Sequence, residues 1–475
     1  MWESGKTLTI TEDFNVGSNK TMTFNGSGGK LKLGNNLNLS GTLILEDQTV
    51  IESGTLSFDG GIVSVKADSI ISSAIAHANS STLEITSGKI LTMQTDFIIP
   101  DSKKMNLTGS NGVLNLENTV TLSGTMEFST EHTLDNGTLS LNGGTLSVQE
   151  DVTISSSVIS STDSIIDIST NSILTHTGGD INIGTNILTF SGGGNFENAD
   201  KVVFDDPEGT LKFDGISTVA NVSVPVALTS GKIDVDQDAS VQNLFHSGSS
   251  RLDILSGKKL SISNGFEIPQ AKTMDMIGED GTLVLSDNLS LTGTLKFSTP
   301  GKLSSGTLSM NGGQLDVDES ITISSNILHV ADSLIDIESD KSLIYTGQAL
   351  NIEGLLLTFN GVGKFSNTEN LVLNNSESSL KMNGVSEISK VLISAELASG
   401  KLEIAENTNI VNLRHTGSSK IFVDNAKTLT ISNDFEIPDG KSMELLGSGD
   451  SRSISLPDLL TLSGTLSINT TGYNI

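Results

Sequence analysis

Short runs of alternating apolar and polar residues follow one another along the whole chain. Early ones begin near Leu8, Phe14, Met22, Leu31, Leu37, Leu43, Val50, Leu56, Val63, Ile70, Ile75 and Leu83, and the pattern restarts at Ile90. Most are triplets such as "LTI", "MTF", "LKL", "LNL" and "LSF". A period of two predicts strands with one buried face. Leu8, Ile10, Leu56 and Phe58 should point inward, and Thr9 and Ser57 outward. Gly, Asn, Asp, Ser and Lys fill the intervals. "DGG" at 59–61 and "NGG" at 142–144 and 311–313 supply residues that tolerate positive φ.

The runs belong to a longer repeat. Phe14, Phe97, Phe266 and Phe435 follow one another at 83, 169 and 169 residues, as do Met22, Met105, Met274 and Met443. Gly54, Gly137 and Gly306, in "SGTLSF", "NGTLSL" and "SGTLSM", keep the same spacing. Residues 246–269 match 415–438 at 13 of 24 positions. His246, His329 and His415 divide the 169-residue unit into halves of 83 and 86. The boundaries predicted are 3–85 (half unit), 86–254, 255–423 and 424–475 (partial unit), within one continuous solenoid over 1–475.

Twelve runs per half unit could be hairpin arms or turns of a coil. Runs of three or four residues are short for a meander. The connections do not alternate between tight two-residue turns and longer loops, as hairpins require. The even repetition is that of a solenoid, whose coils bury their apolar residues only by stacking. The expectation is an all-β fold, a single three-sided parallel β-helix, with about 21 residues per coil and about 22 coils. Parallel crossovers predict a right-handed coil. Pro100, Pro269 and Pro438, each ending an "F-x-I-P" run, should mark corners, with Gly17 in that place in the first copy.

Composition narrows the function classes. With 27 basic and 56 acidic residues the net charge is −29, which repels phosphate backbones and argues against nucleic acid. Cysteine is absent, so disulfides, thiolate nucleophiles and Cys-based zinc sites are excluded. No window reaches 18 uninterrupted apolar residues, and "MWESGKTLTI" lacks the basic region and apolar run of a signal peptide.

Candidate chemistry is sparse. His77, His246, His329 and His415 share one repeat position, where Ser160 stands in the remaining copy. Equivalent positions lie four coils apart, roughly 19 Å, too far for a shared metal, so a corner role with ring nitrogen bonded to backbone is expected. Asp13, Asp96 and Asp434 precede the recurrent phenylalanine, but Gly265 replaces the third, and a lone carboxylate is a weak calcium ligand. "GGGNFENAD" at 192–200 lacks the tandem copies of a calcium-binding repeat. Thr23, Ile44, Ser64, Glu84 and Asn106, the outward positions expected in successive coils of one sheet, form no regular threonine ladder of the ice-binding kind. One Trp and two Tyr supply little for carbohydrate stacking. The expectation is therefore no catalytic, cofactor-binding or metal residues, no cofactor and no enzymatic activity.

The short Gly/Asn/Ser/Thr-rich strands, the lack of cysteine and passages such as "NGTLSLNGGTLSV" at 136–148 resemble large repetitive bacterial surface β-helix proteins, the filamentous-haemagglutinin-like and autotransporter-passenger adhesins. That resemblance implies an extracellular or cell-surface location and a role in adhesion, surface fibres or spacing. The reading is a structural protein: a rigid segment of a fibre, sheath or adhesin stalk. Its expected partner is itself, head to tail or within a longer repetitive chain, with a cell-surface or matrix ligand as a further candidate. The alternative is a β-helix that binds or cleaves polysaccharide. The chain opens at Glu3 in phase with Thr86, Leu255 and Asp424, and stops at Ile475 inside a unit. Contacts between chain ends are therefore expected to involve the inward residues Leu8 and Leu466.

Overall fold

The computed structural model describes residues 4–447, 451–456, 459–469 and 473–474, so Glu3 and Ile475 lie outside it. The described residues form strands, turns and bends, with no helix. Two compact units divide the chain, 1–242 and 243–475. Each is a parallel β-solenoid. In the first unit Thr7–Ile10 pairs with Gly29–Leu33, Phe14–Val16 with Asn36–Leu39, and Thr21–Phe24 with Thr42–Leu45, all parallel. Each of these strands thus pairs with the third strand after it, which makes three faces. The second unit repeats the arrangement with Lys259–Ile262 on Gly281–Leu285, Phe266–Ile268 on Asn288–Leu291, and Thr273–Met276 on Thr294–Phe297. The spacing of about 21 residues gives about 22 coils in the two stacks.

Each coil sends its apolar triplet inward. Leu37, Leu39, Leu56, Phe58, Leu139, Leu141, Leu289 and Leu291 are completely buried, while the residues between them, such as Asn38, Ser57 and Ser290, are partly exposed. Leu8 and Ile10 also turn inward, but the first coil leaves them half-buried.

The corners explain the recurrent small residues. Lys20, Lys103, Lys272 and Lys441 donate their N–H groups to the carbonyls of Gly17, Pro100, Pro269 and Pro438. The residue before each lysine, Asn19, Ser102, Ala271 or Gly440, has φ between 59° and 71°. Proline and Gly17 therefore stand at one turn, as expected. In the "DGG" and "NGG" turns the two glycines have different reasons. Gly60, Gly143 and Gly312 adopt φ of 89°, 84° and 86°. Gly61, Gly144 and Gly313 do not, but a Cβ there would come within 2.4–2.5 Å of a carbonyl oxygen of the preceding coil. No atom fits at that distance, so only glycine lets the coils close to ladder spacing.

The register carries one correction to the sequence reading. Thr23, Ile44, Ser64 and Glu84 do stand opposite one another in successive coils. Glu84, however, stands opposite Thr108, and Asn106 stands opposite Thr82. The column slides by two residues relative to the 83-residue repeat. A slide of one would turn every side chain to the wrong face; a slide of two keeps inward residues inward. The same slide recurs where Ile71 stands opposite Met93 and Ile166 opposite Phe190.

Candidate functional site

The second face is not continuous. The first and third ladders run on from coil to coil, but this one falls into short sheets. Phe14–Val16, Asn36–Leu39, Thr55–Asp59 and Ala74–Asn79 form one four-stranded sheet. Phe97–Ile99, Thr119–Leu122, Thr138–Leu141 and Ser157–Ser160 form the next, and Ile181–Asn182 begins another. In the second unit the ladder is broken after Leu244–His246, after Asn326–Ala331 and after the His415 end of Thr408–His415, whose first residues pair on with Thr428–Ile431 in the first face. The last strand before each break ends its inward pair with His77, Ser160, His246, His329 or His415. The histidine position of the sequence and the broken ladder are one feature.

All four imidazoles at breaks are buried, with exposures of 2–7%. Neither ring nitrogen of His77 or His415 meets a hydrogen-bond partner among the described residues. His415 lies edge-on against Phe435 at 5.1 Å, across its break. His77 tilts against Phe58 of the coil below at 6.1 Å. His246 Nε2 is 2.8 Å from Ser250 Oγ, and His329 Nδ1 is 3.2 Å from the Ile352 carbonyl across its break. The expectation of a ring bonded to backbone thus holds for His329, and for His132 and His176 elsewhere, but not for His77, His246 or His415. No carbonyl lies within hydrogen-bond reach of the His77 or His415 ring among the described residues, whereas Ile352 supplies one across the break after His329. Burial drives His77, His246 and His415 down to about 4, with Lys103 adding to the effect on His77 and Lys272 on His246. Burial also lowers His132 and His329.

Side chains take over where backbone bonds stop. Ser80, Asp163, Ser249, Asp332 and Ser418, three residues after each histidine or serine, accept the N–H groups of Lys104, Ile187, Thr273, Leu356 and Ser442 at 2.8–3.0 Å. Each bond ties the coil below a break to the coil above it. The next residue is always a buried serine. Ser81, Ser164 and Ser333 accept the N–H of Gly60, Gly143 and Gly312 in the coil below and donate to a carbonyl two residues back. Two further rings bridge breaks: the Tyr345 hydroxyl accepts the Ile327 N–H, and His176 Nε2 lies 3.2 Å from the Ser156 carbonyl. The clasp serines and aspartates were missed in the sequence. The signal was there, in "HANSS", "SSTDS", "HSGSS", "HVADS" and "HTGSS".

The first break opens outward as a cleft of about 740 Å³, lined by Ile75, Ala76, His77, Asp96, Phe97 and Ile98, with Pro100 and two threonines at its rim. Asp13 and Asp96 are corner caps, their carboxylates accepting the Asn36 and Thr119 N–H groups. No group of three or more His, Asp or Glu among the described residues is placed to hold a metal ion. Comparison with family models, curated proteins and solved structures returns no match.

Proposed function

We propose that this chain is a structural extracellular protein, a rigid β-helical segment of a surface fibre, sheath or adhesin stalk. The observation that carries the reading is where the repeated residues go. Phenylalanine and methionine fill the stack, the paired glycines let coils close, the aspartates cap corners, and the histidine–serine motif spans the breaks. A chain that repeats its sentence and assigns these words to stacking is selected for shape. The resemblance to surface β-helix adhesins points the same way.

Its partner is its own kind, met end to end, either as a second copy or as the next coils of a longer repetitive chain. In the first coil Phe14 is 44% exposed, and in the last described coils Leu462 and Ile468 are 52% and 45% exposed. Apolar side chains there suit a head-to-tail contact, which propagates rather than closes. Leu8→Asp or Leu466→Asp should therefore shorten or abolish filaments seen by electron microscopy, while circular dichroism keeps its β signal. Filaments of unchanged length in both variants would contradict end contacts. A wild-type chain that captures or cleaves a defined polysaccharide would favour the alternative.

A further inference from the structure

We propose that the breaks in the second face are acid-sensitive seams, at which protonation of the buried imidazole opens the second face between neighbouring four-coil blocks while the first and third ladders stay paired. Three observations meet at these places. The backbone ladder of the second face is interrupted every four coils, and side-chain clasps beside the interruption, such as Ser80 to Lys104 and Asp332 to Leu356, help to join the coils there. The residue at the interruption is a buried histidine in four of five cases. The ring nitrogens of His77 and His415 have no acceptor for a second proton among the described residues, and one nitrogen each of His246 and His329 is in the same position.

The charges around each ring do not rescue the cation. His77 has Lys103 acting on it and Asp96 in its cleft, but Asp96 is engaged by the Thr119 N–H. Asp59, on the strand below, is engaged by Asn79. His246 has Lys272. His415 feels burial alone, and the lysine that matches Lys103, Lys441, is paired with Glu396. Only His329 has a helpful carboxylate, Asp332, itself the clasp to Leu356. The sign follows from linkage. These rings titrate below their unfolded value of 6.5, so the stability they contribute is complete above 6.5. It is lost as pH falls toward about 4, the value for His77, His246 and His415. For an imidazole held near 4 that regains its ordinary affinity on opening, the opening equilibrium should rise roughly 30-fold between pH 8 and pH 5.

The second break is a built-in comparison, because Ser160 replaces the histidine and both nitrogens of the nearby His176 have partners. Hydrogen exchange of the whole chain, read by mass spectrometry at pH 8 and pH 5 and corrected for intrinsic rates, tests the idea. Peptides that hold the clasped N–H groups of Lys104 and Ser442, above the first and fifth breaks, should lose protection by tens-fold at pH 5. Peptides over 119–122 and 138–141, inside a block, and the peptide that holds the clasped N–H of Ile187 above the second break should change several-fold less. His77→Gln should remove the pH response at the first break only. Should that variant fail to fold, Ser160→His provides the converse, installing a response at the second break. A uniform response along the chain, no response at the histidine breaks, or an unchanged response in the variants would overturn the proposal.

Discussion

At the residue scale, most of the explanatory weight falls on side chains that are absent. Gly143 and Gly144 are neighbours in one turn, yet they obey different constraints. Gly143 needs a left-handed backbone but has room, since its nearest prospective contact is Thr162 Oγ1 at 3.5 Å. Gly144 has an ordinary backbone and no room, with the Gly124 carbonyl oxygen 2.4 Å from where a methyl group would sit. Asparagine tolerates the left-handed region, so Gly143→Asn should cost less than about 1 kcal/mol. Gly144→Ala must push two coils apart and should cost about 2–3 kcal/mol or more, in the range of overpacked cores. Urea denaturation of the two variants distinguishes them; equal costs would contradict the close-approach argument. The sequence showed that this turn wants glycine, through its "NGG" repetition. It did not show which glycine answers to φ and which to the neighbouring carbonyl, because the neighbour belongs to the preceding coil and is set by register.

At the scale of strands and faces, period-two alternation was sufficient to find the strands, their inward residues and the three-fold coil. It did not reveal that one face is interrupted. Alternation reports which way a side chain points, and it is unchanged by a two-residue slide. That is why Asn106 seemed to continue the column that Thr108 continues. The interruption was legible only as a polar residue at an inward position, His77 or Ser160, followed by the clasp pair. Across the Asp332 clasp a charged acceptor meets the Leu356 N–H at 2.8 Å. Its removal in Asp332→Ala should cost about 1–2 kcal/mol, seen as faster exchange at the fourth break. Asp332→Ser should recover most of that protection, since serine does the same work at 80, 249 and 418. If alanine and serine behave alike, the clasp contributes nothing. The cross-coil ion pairs, such as Lys30–Glu52 and Lys66–Glu84, are exposed and matter less than these bonds.

At the scale of the whole molecule, the claim is that the repeat exists to build stacks that join to further stacks. Four-coil blocks give those stacks a second periodicity above the single coil, because every break falls one block after the last. Fibre diffraction from the concentrated wild-type chain at neutral pH measures both periods and the joining at once. Strands lying across the fibre axis should give a meridional reflection near 4.8 Å, with a weaker layer line near 19 Å from the four-coil blocks. A chain that stays dispersed as monomers at high concentration, or fibres without the roughly 4.8 Å meridional spacing, would contradict the account.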